Sequence, residues 1–318
     1  MKAVVIGDAH CKISNIEECQ KLMDFAIKTA EEKNIKKIIL SGDINDNHSV
    51  IRGQVQNFWD STFEKISSKN IDTMVLYGNH DYNNQKNPSM GGSLDIFKNK
   101  HKGLTIVDKI MVIENIVLAP YYHDREQFVI DVNSVGNDKR TVVCHQNFTQ
   151  SLFGDMIDPA ELTTANIVCG HVHSSHLSSG KVFYLGSPKW DTATDAGEEK
   201  GIWILEFSDE GEIISKEFLS TRSIVTPIDK MYLVEGDVEP TLDPSARNYL
   251  EIKGQSAWVN KMKKKYKGQA NIKAVYMDRL VKSKKESSFN FENFMIGFKP
   301  IEGIANLEIE EYLKRLET

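Results

Sequence analysis

The sequence has no Cys-x-x-Cys pair, no long apolar run and only 8 prolines, and each absence narrows what the chain can be. Its four cysteines are Cys11, Cys19, Cys144 and Cys169. Their spacing is neither zinc-like nor redox-like, and the last two end apolar runs, where a thiol packs as a small hydrophobe. No disulfides and a reducing cytoplasm are therefore expected. No run approaches the ~18 apolar residues of a membrane span, and no charged-then-apolar leader opens the chain, so neither a span nor a secretory signal is expected. The 318 residues, 40% apolar and 26% charged, suit a globular protein of about two domains.

The net charge of −6 argues against a nucleic-acid partner only when taken globally. Residues 247–285 hold 12 Lys and Arg against two acids, a net of +10. The rest of the chain holds 27 against 43, a net of −16. One Lys run is usually a solvated face. A bias this strong favours a surface for a phosphate backbone, with Lys261, Lys263, Lys264, Lys265 and Lys267 on its helix.

What is present is a series of apolar runs that each stop at a polar cluster. Thr73–Tyr77 runs into GNHD, giving Asn79, His80 and Asp81. Val4–Ile6 runs into GDAH, giving Asp8 and His10. Ile38–Leu40 runs into SGDINDN, giving Asp43 and Asp46. Thr141–Cys144 runs into His145, and Ile167–Cys169 into GHVH, giving His171 and His173. Five strand ends thus supply Asp, Asn and His to one sheet edge, where α/β sheets hold their sites.

Between these runs the pattern alternates. Strands are expected at 2–7, 36–40 and 72–77, with helices at 16–33 and 50–67 between them. That is parallel pairing with helical crossovers. Phe58, Trp59 and Phe63 lie at near-helical spacing and are read as core. Residues 82–103 read as a long polar loop closing in a short helix at 94–97. Strands follow at 104–107, 110–113 and 116–119, a helix at 124–135, then strands at 181–185, 201–207 and 213–219. The expected fold is an α/β sandwich of α/β/β/α layers over 1–235. A small β-α-β domain over 236–285 opens with a linker at 236–245, and a helical tail over 286–318 ends the chain. The tail is rich in Phe291, Phe294, Phe298, Tyr312, Leu313 and Leu316 and has little of its own chain to bury against, so a partner protein is expected to cover it.

Asp8, His10, Asp43, Asn79, His145, His171 and His173 are too many ligands for one ion, and a carboxylate such as Asp43 can bridge two divalent cations. Mixed imidazole and carboxylate donors suit Mn, Fe or Zn better than Ca or Mg. The absence of a thiolate argues against structural zinc. Such a pair would lower the pKa of a shared water and neutralise the oxygens of a phosphate. His80 is not needed as a ligand and is read as the general acid, with Asp81 fixing its tautomer. His48, His101, His123 and His176 match no strand-end pattern and are expected to be ordinary loop residues.

GDAH, GDINDN, GNHD, His145 and GHVH together resemble the five motifs of the calcineurin-like metallophosphoesterase superfamily, covering residues 1–175. FYLGSPKW at 183–190 and GIWI at 201–204 narrow the resemblance to SbcD-type DNA-repair nucleases, and among them to phage recombination nuclease subunits of T-even type. The resemblance implies one Mn on Asp8, His10, Asp43 and His173 and another on Asp43, Asn79, His145 and His171, with Mg, Fe or Zn as alternatives. His80 would protonate the leaving 3′ oxygen and Asp81 would orient it. Asp46 sits where some members carry a second catalytic histidine, and His48 is two residues further on.

It further implies a 3′-to-5′ duplex exonuclease with endonuclease activity in recombination and repair, located in the cytoplasm (a host's, if phage-encoded). The basic domain would be a DNA cap and the tail the dock for an SMC-like ABC ATPase, in a homodimer with candidate surfaces at 50–67 and 82–103. Two other readings stand beside this one. A small-molecule phosphatase or cyclic phosphodiesterase would share the metal site but would need neither basic module nor apolar tail. A non-catalytic adaptor for the ATPase would have no use for seven ligands and a proton donor.

Overall fold

Alternation along the first strand sets the architecture. In a computed structural model, which describes residues 1–48, 52–148, 156–174 and 178–277, β1 (Lys2–Ile6) is buried on both faces. Val4 and Ile6 point one way and Ala3 and Val5 the other, because strand side chains alternate. A strand with two apolar faces needs a layer on each. The chain supplies these in order: α1 (Ile16–Glu32), β2 (Lys37–Leu40), α2 (Gly53–Ser68), β3 (Asp72–Leu76) and β4 (Leu104–Val107). Then come β5 (Met111–Ile113), β6 (Ile116–Ala119), α3 (Arg125–Val135), β7 (Thr141–Cys144), β8 (Asn166–Cys169), β9 (Ser178–Ser179) and β10 (Val182–Tyr184). β11 (Gly201–Phe207), β12 (Ile213–Ser220), β13 (Ile228–Val234), β14 (Arg247–Gly254), α4 (Ser256–Lys265) and β15 (Asn271–Tyr276) complete it.

Two six-stranded sheets form the sandwich, ordered β12-β11-β1-β2-β3-β4 and β5-β6-β7-β8-β10-β9. The runs β1-β2-β3-β4 and β6-β7-β8-β10 are parallel. Their C-terminal ends therefore open toward one edge. Between the sheets lie Val5, Ile39 and Leu76 of the first and Leu118, Val143 and Val168 of the second. The outer face of the first sheet buries Val4, Ile38 and Val75 with Leu22 and Met23 of α1 and Trp59 and Phe63 of α2. The outer face of the second buries Val142 and Ile167 with Phe128 and Val132 of α3. This is the expected α/β/β/α layering, and the Phe58, Trp59 and Phe63 stripe is core. The four cysteines are buried thiols.

Two strands were not anticipated, the two-residue β9 and β13. β13 extends the small C-terminal sheet to three strands, ordered β13-β14-β15, where the sequence reads as β-α-β. Its apolar residues cluster at Met231–Val234 instead of alternating, so no period marks it as a strand. The chain divides into two compact units. One holds Met1–Met231, Pro240–Leu250 and Gly268–Asn271, and the other Tyr232–Glu239, Glu251–Lys267 and the described residues 272–277. In α4, Val259 and Met262 are buried, while Lys261, Lys263, Lys264 and Lys265, and Lys267 beyond its end, are exposed. The tail residues Phe291, Phe294, Phe298, Tyr312, Leu313 and Leu316 lie outside the described residues. No described helix is long and apolar enough to cross a membrane.

Candidate metal centre

Glycines let the strand ends converge. A Cβ on Gly78 would lie 2.2 Å from both the backbone N and Oδ1 of Asp43. A Cβ on Gly170 would lie 2.7 Å from Asp8 Oδ1 and from Ser41 Oγ. Only hydrogen fits at either place. Three site residues are also held in the left-handed region, His10 at φ 41, Asp43 at φ 48 and His171 at φ 71. Non-glycine residues held there cost about 1–3 kcal/mol each and concentrate at functional sites.

The seven expected ligands meet in two adjoining groups. Asp8, His10 and His173 each bring a ligand atom within 4.8 Å of the others, and so do Asp43, His145 and His171. Asn79 joins the second group, its Oδ1 3.1 Å from His145 Nε2 and 3.0 Å from His171 Nδ1. Asp43 Oδ2 stands between the two, 3.8 Å from His10 Nε2 and 3.3 Å from His145 Nε2. Asp8, His10, Asp43, Asn79 and His145 are buried.

The charge balance is that of a place for cations. His10 and His173 aim their Nε2 atoms at each other across 2.9 Å. Asp8 Oδ2 is buried without a hydrogen-bond partner, and so is His10 Nδ1. Burial pushes the Asp8 carboxyl up and holds His10 well below the usual histidine range. His171 is lowered to about 4 by burial and by the neighbouring His145. Burial alone would lower His145, but Asp43 and Asp8 outweigh it and raise the ring to about 10. Burial alone would raise Asp43, yet the surrounding imidazoles, His145 first, hold it far below the carboxylate range. A proton on His145 thus supplies the positive charge the buried carboxylates require. The donors are oxygens and imidazole nitrogens with no thiolate, so they fit divalent cations.

His80 sits on the rim with its side chain 30% exposed. Its Nδ1 lies 2.8 Å from the Asp46 carbonyl oxygen. A carbonyl only accepts, so Nδ1 carries the hydrogen and Nε2 faces the site, 4.0 Å from Asp43 Oδ2. His80 also lies within ligand range of His10 and Asp43.

Asp81 does not orient that ring. Its carboxylate accepts from Gly78 N at 3.0 Å and Asn45 N at 3.2 Å. It therefore braces the turn beneath the site, and burial together with the charge of Asp43 pushes it up to about 7. The orienting group is the Asp46 backbone. The Asp46 side chain turns to Lys12 Nζ at 3.2 Å, with His10 Nδ1 4.0 Å away.

His48 is no ordinary loop residue. It stacks on His80 with ring centroids 4.1 Å apart and planes at 23°. Its Nδ1 lies 3.0 Å from the Asn79 carbonyl oxygen, and Gln85 Nε2 is 3.3 Å from its Nε2. No strand-end pattern marks it; its only signal is its place in the DINDNH loop. Lys200 also escaped notice. Fully buried, it donates to Asp195 Oδ1 at 2.9 Å and to the His173 carbonyl at 2.7 Å, and Ser187 N donates to that carbonyl at 3.0 Å. The GSPK stretch therefore helps fix the His173 loop. Among the module lysines, Lys265 pairs with Glu239, and Lys263 Nζ lies 3.4 Å from the Tyr276 hydroxyl.

Residues 1–191, more than half of the chain, match the calcineurin-like phosphoesterase family. The chain belongs to that family. It is accordingly a metal-dependent phosphoesterase hydrolase. Three viral relatives extend the comparison. Putative phosphoesterase 078R of Invertebrate iridescent virus 3 is 25% identical over 59% of this chain and 57% of its own length. Putative phosphoesterase 244L of Invertebrate iridescent virus 6 is 26% identical over 65% of this chain and 77% of its own. Exonuclease subunit 1 of Enterobacteria phage T4 is 24% identical over 72% of this chain and 78% of its own.

Proposed function

We propose that this calcineurin-like phosphoesterase is the nuclease subunit of a DNA-processing complex. It would cut duplex DNA 3′ to 5′ from ends, nick or open strands internally, and work with Mn. The observation that carries the reading is the two adjoining Asp/His groups, with Asp43 Oδ2 3.8 Å from His10 Nε2 and 3.3 Å from His145 Nε2 and His80 on their rim. DNA is favoured as substrate by the similarity to the phage T4 exonuclease subunit over 72% of the chain and by the exposed lysines of α4. The SMC-like ABC ATPase partner, the homodimer and the docking role of the tail belong to the same proposal.

In this reading Asp8, His10, Asp43 and His173 hold one cation and Asp43, Asn79, His145 and His171 the other. Together the cations would activate water for attack and neutralise the phosphate oxygens. His80 does the proton work. With Nδ1 committed to the Asp46 carbonyl, the exchangeable proton is on Nε2, and it passes to the departing 3′ oxygen. His48 limits rotation of that ring by stacking, and Lys200 keeps the His173 loop in place.

The test is cleavage of end-labelled linear duplex DNA by the full chain with Mn, beside His80→Ala and a panel of small phosphate esters. Cleavage that is lost in the variant is expected. Turnover of small esters with no DNA cleavage, even with an ATPase partner added, would replace this reading with that of a small-molecule phosphoesterase. Lys261→Gln with Lys264→Gln should weaken duplex binding at every sequence and flatten its salt dependence by about two.

A further inference from the structure

A cavity of about 320 Å³ opens beside the metal centre and takes no part in the chemistry above. Its walls include Tyr82, Tyr121, Tyr122 and His123, with Lys86, Asp108, Asp124 and Gln127 completing the lining. Tyr121 belongs to both places. Its ring centroid is 6.4 Å from that of His145 and 6.4 Å from that of His171. Whatever occupies the cavity is therefore one aromatic ring away from the group that holds His145 and His171.

The walls are fixed before any ligand arrives. Tyr82 stacks on Tyr77 at 4.6 Å. Tyr122 packs edge-on against Phe128 at 5.7 Å and its hydroxyl donates to Asp131 Oδ2 at 3.0 Å. Tyr121 N donates to the carbonyl of Tyr77, the residue just after β3, at 2.7 Å. Tyr82 is buried against Tyr77, so the half-buried rings of Tyr121 and Tyr122 are the aromatic surface the cavity offers a flat ligand. The polar lining then selects among flat ligands. The carboxylates of Asp108, paired with Lys98 Nζ at 2.6 Å, and of Asp124, whose Oδ1 accepts from Gln127 N at 3.1 Å, keep oxygens that can accept hydrogen bonds from amino and imino groups.

We propose that this cavity is a nucleobase subsite. The base of a nucleotide next to the scissile phosphate stacks on the tyrosine wall, and its phosphate lies at the metal centre beyond Tyr121. The proposal rests on the nuclease reading for its substrate class. It adds that the enzyme grips a base splayed out of the stack rather than the backbone alone. A base on an aromatic platform gains enough to matter, since every base has a π-face.

The experiment is equilibrium binding to the full chain, read by calorimetry with Mn present, of thymidine 5′-monophosphate against 2-deoxyribose 5-phosphate. The two share sugar and phosphate and differ in the base. The nucleotide is expected to bind about ten-fold tighter, the worth of one stacked base. Tyr121→Leu should erase that preference and Tyr121→Phe should retain it, which separates stacking from a general disturbance of the fold. Equal binding of the two ligands to the unaltered protein overturns the subsite, whether or not DNA is cut. Tighter nucleotide binding without any DNA cleavage upholds the subsite and overturns the nuclease reading.

Discussion

The two sheets contribute unlike halves to one centre. The β1, β2 and β3 ends deliver the carboxylates of Asp8 and Asp43, the Asn79 amide, His10 and His80. The β7 and β8 ends deliver imidazoles alone: His145, His171 and His173. The acidic half could not be buried by itself, because two uncompensated carboxylates in a dry interior cost several kcal/mol each, roughly. The histidine half supplies the countercharge, with His145 raised to about 10 by the carboxylates it faces. A proton and a cation thus compete for the same place, and the sandwich brings acid and base together only at its edge.

Breaking the bridge between the halves should have the largest effect. Asp43→Asn is expected to lower phosphodiester hydrolysis on the order of ten-thousand-fold, the several kcal/mol that charge stabilisation by metal ions supplies. Metal analysis should show both sites depleted. Retention of two ions per chain would mean that the sheets build independent centres. His80→Ala comes next, with about a thousand-fold loss on DNA. Far less should be lost on a p-nitrophenyl ester, whose leaving group needs no proton; an equal loss on both would remove the acid role.

Lys200→Met probes the histidine half from behind. The His173 carbonyl loses one of its two donors, and metal affinity should fall by about 10- to 100-fold, the usual effect of groups that support ligands. The same change reports on stability. The Asp195 carboxyl is lowered in the fold despite its burial, because Lys200 and the Thr192 N–H favour its charged form. A lowered acid contributes stability above its unfolded pKa and loses it as the pH falls through the folded one. The unaltered protein should therefore lose melting temperature on acidification through that window, and Lys200→Met should show a smaller slope there. The smallest effect is expected from His48→Ala, a several-fold drop in kcat with KM unchanged, as the His80 ring gains freedom. A loss as large as that of His80→Ala would make His48 a chemical participant.

Most of the centre was legible in the sequence because its residues follow buried strands directly. An apolar run that stops at Gly-Asp, Gly-Asn or Gly-His announces both its strand and its ligand. Parallel order then forces the five ends to one edge. The failures share a cause. Asp81 reads as an orienting acid because it adjoins His80, but consecutive residues of a tight turn diverge, and its carboxylate went to Gly78 N and Asn45 N. The true orienting group is a backbone carbonyl, which no side-chain pattern can display. His48 and Lys200 act on neighbours far away in sequence, at |i−j| of 31 for the His48 bond and 27 for the Lys200 bond. β13 was missed because its apolar residues cluster and do not alternate.

The pairing of β1 also sets a timetable for synthesis. β1 lies between β2 and β11, with Lys2 opposite Glu206. β1 therefore keeps one edge bare until residues 201–207 have been translated. The first ligand, Asp8, likewise waits for His173 to leave the ribosome. No fragment that ends before His173 holds both groups of candidate ligands, so the centre can be assembled only late.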